Sequence, residues 1–352
     1  MNNKVLYNDS RRVVYLVKKV LVIDHGNGNI KGRSEVAAGV LPSLVAFKKD
    51  VGESITGKKA KLKTYEIEGI EYVWGKDITK VKDVFATYGF QNRYKEPLYK
   101  VLTSIALADL ALKSKVQSTD EVIVITGVPS NEIGTEAANN LKEVFEGLHT
   151  VKIEGKTVKV NVEEVIILPQ PIGTVMGQYL DTEGFVADER YEDIRVGVID
   201  IGTGTTDLDS ITGLRRENEF KSVEAGMKDV YQEIADYINS QNSNAKVEYY
   251  HVEPFFESGQ YKLSERHIID FEEVKPKAVF QVSEKIKQGI KNAWKTFDRF
   301  DEIIITGGGA ELFASAIEDL VGSVKVAEKP QQANAEGFFK YGMFKVSEED
   351  GE

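Results

Sequence analysis

The sequence predicts an α/β protein of two similar lobes, each a mixed sheet flanked by helices. Three observations carry this expectation. Near-continuous Val/Ile runs, "VLVID", "EVIVITGV", "RVGVID" and "EIIIT", alternate with stretches of helical periodicity, as strands covered by helices require. At 352 residues the chain exceeds the roughly 250 to 300 at which single cores stop growing. Finally, "VLVIDHGNGNIKG" from Val20 returns as "VGVIDIGTGTTDL" from Val196, which sets Asp24 and Asp200 half the chain apart.

Residues 1–19 read as an N-terminal extension, a short β-type run with no evident attachment. Val20–Ile23, Ile30–Ser34 and Val40–Phe47 read as three strands of a meander joined by Gly-rich turns. Residues 48–93, polar and rich in Lys and Glu, read as an inserted subdomain, with the lysines as a solvated face. A helix over 95–115, the strand "EVIVITGVPS" and a helix over 131–146 follow, then a hairpin at Glu154-Gly155 and a strand running into a helix in "VIILPQPIGTVMG". The second half repeats this grammar. It has a strand, glycine turn and strand at Asp200, a helix over 224–239, an irregular aromatic stretch over 248–273, a helix over 282–297 and the strand "EIIIT". Pro330 precedes a last helix over 335–341, and "SEEDGE" reads as a frayed tail. Domain I is thus expected over 20–170, with its insert at about 48–93 and a C-terminal helix at 331–345 completing it. Domain II is expected over 171–330, with a subdomain at about 228–300.

Composition narrows the function. Apolar content of 41% and charged content of 29% are those of an ordinary globular protein, and the absence of cysteine excludes disulfides and thiolate metal sites. A net charge of -11 opposes direct DNA binding or attraction to an anionic membrane, and no apolar run reaches the roughly 20 residues of a membrane span. The expected location is cytoplasmic. The four histidines lack ligand spacing, which argues against zinc, and Tyr249, Tyr250, Phe255 and Phe256 read as the core of a small subdomain.

In each copy of the repeat an acid leaves a buried strand, with glycines two and four residues after it. Two backbones can then turn tightly and approach an anion without interference from Cβ. Facing one another, two such hairpins would grip a polyphosphate, each aspartate available to a hydrated Mg2+. One copy alone reads as well as a type I′ hairpin, for which Asn-Gly is a strong signal. The second copy favours the phosphate reading, as does "IIITGGGAEL" from Ile303, where a buried strand breaks into three glycines ahead of a helix. Lys31 would point to the same phosphates if the hairpin folds back. A calcium loop ending at Glu35 is rejected because Gly26 and Gly28 fall where ligands belong.

With these motifs in this order, the sequence resembles the actin, heat-shock chaperone and sugar kinase superfamily of ATPases. "TGVPSNEIGTE" from Thr126 and the chain length are most similar to the bacterial plasmid-segregation actins, the ParM or StbA group. The resemblance implies an actin-like ATPase fold with ATP or GTP and Mg2+ in the interlobe cleft. It implies a first phosphate turn of Asp24, Gly26, Asn27, Gly28, Asn29 and Lys31, and a second of Asp200, Gly202, Thr203, Gly204, Thr205 and Thr206. Asp24 and Asp200 would reach the metal through water, and Gly307, Gly308 and Gly309 would lie against adenine and ribose. Gln170, where many members carry glutamate, would orient the attacking water. A glutamine is no strong base, so the implied mechanism is positioning, with electrostatics from Asp200 and Mg2+. Glu224 and Lys228 would touch the ribose, or else form an ordinary i,i+4 surface pair.

The activity implied is nucleoside triphosphate hydrolysis coupled to head-to-tail self-assembly, with plasmid DNA moved through a ParR-type DNA-binding adaptor. Three other readings compete with this one. A small-molecule kinase of the same fold needs a base beside its acceptor, which Gln170 does not supply. A chaperone-type ATPase adds a substrate domain that this sequence does not show, and an MreB-like cell-shape filament would display a membrane-binding amphipathic segment.

Overall fold

The strand Lys18–His25 sends Leu21 and Ile23 to one side of its sheet and Val20 and Val22 to the other, and all four are buried. A strand covered on both faces needs two partners. Leu102, Ile105 and Leu110 of helix Pro97–Lys113 cover the first face. Phe338 and Phe339 of helix Ala333–Gly351 cover the second. The computed structural model describes residues 4–7, 13–16, 18–52, 60–88 and 92–351. The chain divides into two units, Met1–Glu189 with Asn334–Glu352, and Arg190–Ala333.

Unit 1 holds a sheet of ten strands. Lys18–His25 pairs antiparallel with Asn29–Arg33 and parallel with Glu121–Val128, which pairs parallel with Lys156–Pro169. The remaining strands extend both edges. Unit 2 repeats the arrangement. Arg195–Ile201 pairs antiparallel with Thr206–Thr212 and parallel with Glu302–Thr306, which pairs parallel with Lys325–Val326. Helices Met227–Gln241, Lys275–Ala293 and Ala310–Val321 supply Ile234, Ile238, Ile286, Ile290 and Phe313 to its core. Burying side chains of this size contributes roughly 1.5 to 3 kcal/mol each.

Several expectations need correction. Val40–Phe47 is two strands, Ala38–Pro42 and Leu44–Phe47, because Ser43 leaves the ladder. Its amide donates to Gly28 O at 2.8 Å and its hydroxyl to Gly26 O at 2.7 Å. The expected insert is no separate body: its strands Leu62–Ile67 and Ile70–Gly75 extend the main sheet through Gly147–Ile153. Within the extension, Lys4–Tyr7 and Val13–Leu16 form a hairpin of their own. The last helix begins at Ala333 and runs to Gly351, taking in most of the expected tail. The helix expected from Val282 starts at Lys275, where polar residues hide the period but Ala278 is already buried. The division between units falls after Glu189 rather than after Gln170, because helix Gln170–Tyr179 packs on helix Ala333–Gly351. That crossing is close: a Cβ on Gly337 would lie 1.6 Å from Gly173 O, and Thr174 donates to Asn334 Oδ1 at 2.7 Å. The aromatic stretch expected to be irregular instead holds helix Tyr249–Val252 and the paired strands Gln260–Ser264 and His267–Asp270, and Phe256 packs edge-on against Tyr231 in the core of unit 2.

Candidate functional site

Asp24 and Asp200 open loops of the same geometry. His25 pairs with Ile30 and Gly26 donates its amide to Asn29 O at 3.2 Å; Ile201 pairs with Thr206 and Gly202 donates to Thr205 O at 2.9 Å. Neither loop is the type I′ turn that Asn-Gly predicts, since Gly26, Gly28, Gly202 and Gly204 all lie outside the left-handed region. That turn occurs instead at Glu154-Gly155, where φ is 47° and 81°. What the glycines of the two loops supply is room. A Cβ on Gly26 would stand 2.9 Å from Lys31 Nζ, and one on Gly202 would stand 3.2 Å from Thr205 O. The amides of Asn27 and Gly28, and those of Thr203, Gly204 and Thr205, find no acceptor among the described residues. Such amides in tight turns form anion-binding concavities.

In unit 1 the buried Asp24 is held from two sides. Lys31 Nζ lies 3.0 Å from Oδ2, directly across the ladder, and Gln170 Nε2 donates to Oδ1 at 2.8 Å. Gln170 reaches it because Gly127 has no side chain: a Cβ there would lie 2.9 Å from Gln170 Cγ and 2.7 Å from the Phe338 ring. Thr126 donates its hydroxyl to Ile23 O at 2.7 Å, fixing the two strands where the carboxylate emerges. Below the turn, His25 stacks on Tyr99 with ring centroids 4.0 Å apart and its nitrogens meet the Thr103 and Thr87 hydroxyls at 2.8 and 3.0 Å. Burial, and then the charges of Arg93 and Lys31, hold its pKa well below the usual histidine value, so this ring is neutral.

In unit 2 the three glycines that follow strand Glu302–Thr306 divide by role. Gly307, at φ 87°, would place a Cβ 2.4 Å from Asp200 Oδ1, and Gly309 would place one 2.5 Å from Ile201 Cγ2 while its amide donates to Ile201 O at 2.9 Å. Both are needed for this loop to lie against the Asp200 strand. Gly308 has no such cause, since the nearest atom to its Cβ position is 3.8 Å away, so its bare backbone is open to a ligand. The carbonyls of Gly202 and Thr203 accept from Met227 N at 3.1 Å and Lys228 N at 2.7 Å, which seats the second loop on the start of helix Met227–Gln241.

Two expected residues stand elsewhere. Thr206 is fully buried and spends its hydroxyl on Ala225 O at 2.8 Å, a seat for the strand rather than a ligand face. Glu224 precedes the helix, which starts at Met227, so Glu224 and Lys228 are not one helical turn apart; the Lys228 ammonium lies 5.2 Å over the Tyr249 ring. Asp207 was missed. It pairs with Asp200 across the ladder, the place that Lys31 holds opposite Asp24, and a seven-residue count from each motif aspartate finds both. The second half of the repeat was missed too: "VITGV" ending at Val128 and "IITGG" ending at Gly308 are the neighbouring parallel strands of the two hairpins.

Residues 22–173 match the family of actin-like proteins, N-terminal domain, and residues 198–319 match the C-terminal part of the archaeal MreB-like actin homologues. No curated protein sequence matches the chain. Among solved structures, the apo pSK41 ParM protein is 23% identical with a TM-score of 0.72, covering 95% of this chain and 99% of that one. A 15-stranded ParM filament from Clostridium botulinum is 20% identical with a TM-score of 0.75, covering 93% and 99%. An archaeal actin homologue in complex with ADP is 18% identical with a TM-score of 0.71, covering 94% and 99%. Two actin-type matches that take in both aspartate hairpins, with a fold shared along nearly the whole chain, place it among the actin-like proteins.

Proposed function

We propose that this protein binds and hydrolyses ATP or GTP with Mg2+, assembles head to tail into filaments, and moves plasmid DNA through a ParR-type adaptor. The observation that carries this reading is the pair of like loops, each with unpaired amides beside a buried aspartate. Polyphosphate fits this chemistry: Asn27, Gly28 and Lys31 of the first loop, and Thr203, Gly204 and Thr205 of the second, are each suited to hold phosphate. When bound, Mg2+ would neutralise phosphate charge and keep most of its own waters. Asp24 and Asp200 suit it, since this ion is usually held by one or two carboxylates and the substrate phosphates. Gly308 would admit the base or ribose.

Gln170 is the residue proposed to orient water for attack. Its Nε2 is committed to Asp24, which leaves Oε1 as the acceptor for a water proton. An amide oxygen holds a water without removing its proton, so the contribution is positioning. Self-assembly draws support from the filament among the structural relatives, and a contact that does not close on itself would produce it.

The test is light scattering and pelleting with Mg-ATP and Mg-GTP, expected to rise on addition and reverse as nucleotide is consumed. A chain that stays monomeric with both would end the filament reading. Gln170→Ala should slow phosphate release by about tenfold or more while assembly persists, as removal of a positioning group predicts. Loss of nucleotide binding in that variant would show that Gln170 has another role. The MreB-like match of residues 198–319 supports a second reading, a filament without a plasmid partner, which co-pelleting with adaptor–DNA complexes distinguishes.

A further inference from the structure

Arg93 lies in the short turn Arg93–Lys95, ahead of helix Pro97–Lys113, and no motif points to it. Its Nη1 donates to Asn27 Oδ1 at the tip of the first loop, and its Nη2 donates to Tyr94 OH at 2.7 Å. The guanidinium stands 4.8 Å over the Tyr94 ring. Tyr94 in turn donates its hydroxyl to Glu132, inside the stretch "TGVPSNEIGTE", whose carboxylate is 3.9 Å from Nη2. The side chain is only 11% exposed, and its Nε is buried with no partner.

This charge is under-compensated. A buried guanidinium is favourable when an opposite charge meets it in good geometry and every N–H is used. Here the carboxylate is at long range, one N–H has no acceptor, and the nearest strong acceptor is a neutral amide. The loop that this amide belongs to exposes the unpaired N–H groups of Asn27 and Gly28, with the Lys31 ammonium 2.9 Å from the Cβ position of Gly26. Lys31 and Arg93 bring two cations to this loop. Lys31 already has Asp24 as its partner, and an anion seated on the loop would supply the charge that Arg93 lacks.

We propose that Arg93 is a positioning residue of the phosphate site, which fixes Asn27 and gives the first loop a second positive charge, so that affinity grows with the number of phosphates on the nucleotide. This rests on the nucleotide reading above. The ParM-group stretch acquires a role with it: Glu132 and Tyr94 hold the guanidinium against the loop.

The experiment is competition binding of Mg-ATP, Mg-GTP and the corresponding monophosphates to wild type, Arg93→Ala and Arg93→Lys. Arg93→Ala should weaken triphosphate binding by about tenfold, the size of one lost charge-assisted hydrogen bond, and leave monophosphate binding within about twofold. Arg93→Lys should recover part of the loss. Tyr94→Phe, which keeps the charge but removes its anchor, gives a smaller loss of the same kind and serves if Arg93→Ala does not fold. Unchanged triphosphate affinity, or equal losses for mono- and triphosphate, overturns the proposal while leaving the nucleotide reading intact. Absence of binding by wild type overturns both.

Discussion

Lys31 and Asp207 occupy the same place in two hairpins of the same design. Each lies across the ladder from its motif aspartate, above a four-residue loop closed by the same amide-to-carbonyl bond. In unit 1 the facing residue is a cation 3.0 Å from Asp24. In unit 2 it is instead another buried acid, with Asp209 buried two residues on and paired to Arg216. Asp207 is pushed up to about 7, first by burial and then by the charge of Asp200, against hydrogen bonds from Ser222 and Thr205 that lower it. The repeat therefore fixes the loop, while one residue across the strand fixes its sign. Asp24 is faced by a cation and Asp200 by a second acid, although both loops present unpaired amides.

Lys31→Ala should produce the largest effect, a fall in turnover of about 10²- to 10³-fold, the usual cost of losing one preorganised partner of developing charge. Turnover within a few-fold of wild type would mean that the ammonium serves only Asp24. Next comes a contrast inside one loop. Gly307→Ala, which must displace Asp200 from a positive-φ site, should cost several kcal/mol and lower Tm steeply, whereas Gly308→Ala should leave Tm unchanged and weaken nucleotide binding. Equal melting of the two variants would remove the case for an open face at Gly308.

Asp207→Asn tests the acid-rich side. The native carboxyl holds its proton more tightly than the unfolded chain does, so this group's contribution to stability falls as pH rises from the ordinary carboxylate range through about 7. In EDTA without nucleotide, the variant's Tm advantage over wild type should therefore be small near pH 5 and grow by about pH 8. An advantage independent of pH would mean that Asp207 does not titrate there. The smallest effect belongs to Gly155→Ala in the true left-handed turn, about 1 kcal/mol of stability with nucleotide turnover untouched.

The strands were legible because a sheet buried on both faces leaves unbroken Val and Ile runs, as in Val20–Ile23 and Ile303–Ile305. The inserted segment was not, since Leu62–Ile67 carries Thr64 and Glu66 on one face and Lys63 beside the buried Tyr65 on the other, and reads as polar chain until its partners are known. At the candidate site, the motif spacing singled out Asp24, Lys31, Asp200 and the three glycines, which the fold sets at two like loops and one strand end. It misjudged Thr206 and Glu224, whose residue types suit a ligand but whose positions are fixed by where helix Met227–Gln241 begins.

By itself the sequence determined where the two aspartate loops fall, though not their turn type, because apolar β-branched runs favour strands locally and the glycines after them mark where the strands end. Only the tertiary structure decided what faces each aspartate. Gln170 meets Asp24 from 146 positions away across the space left by Gly127, Arg93 reaches Asn27 across 66, and Gly307 presses on Asp200 from a distant strand. Such contacts depend on the register and crossing of whole elements, and no local preference encodes them.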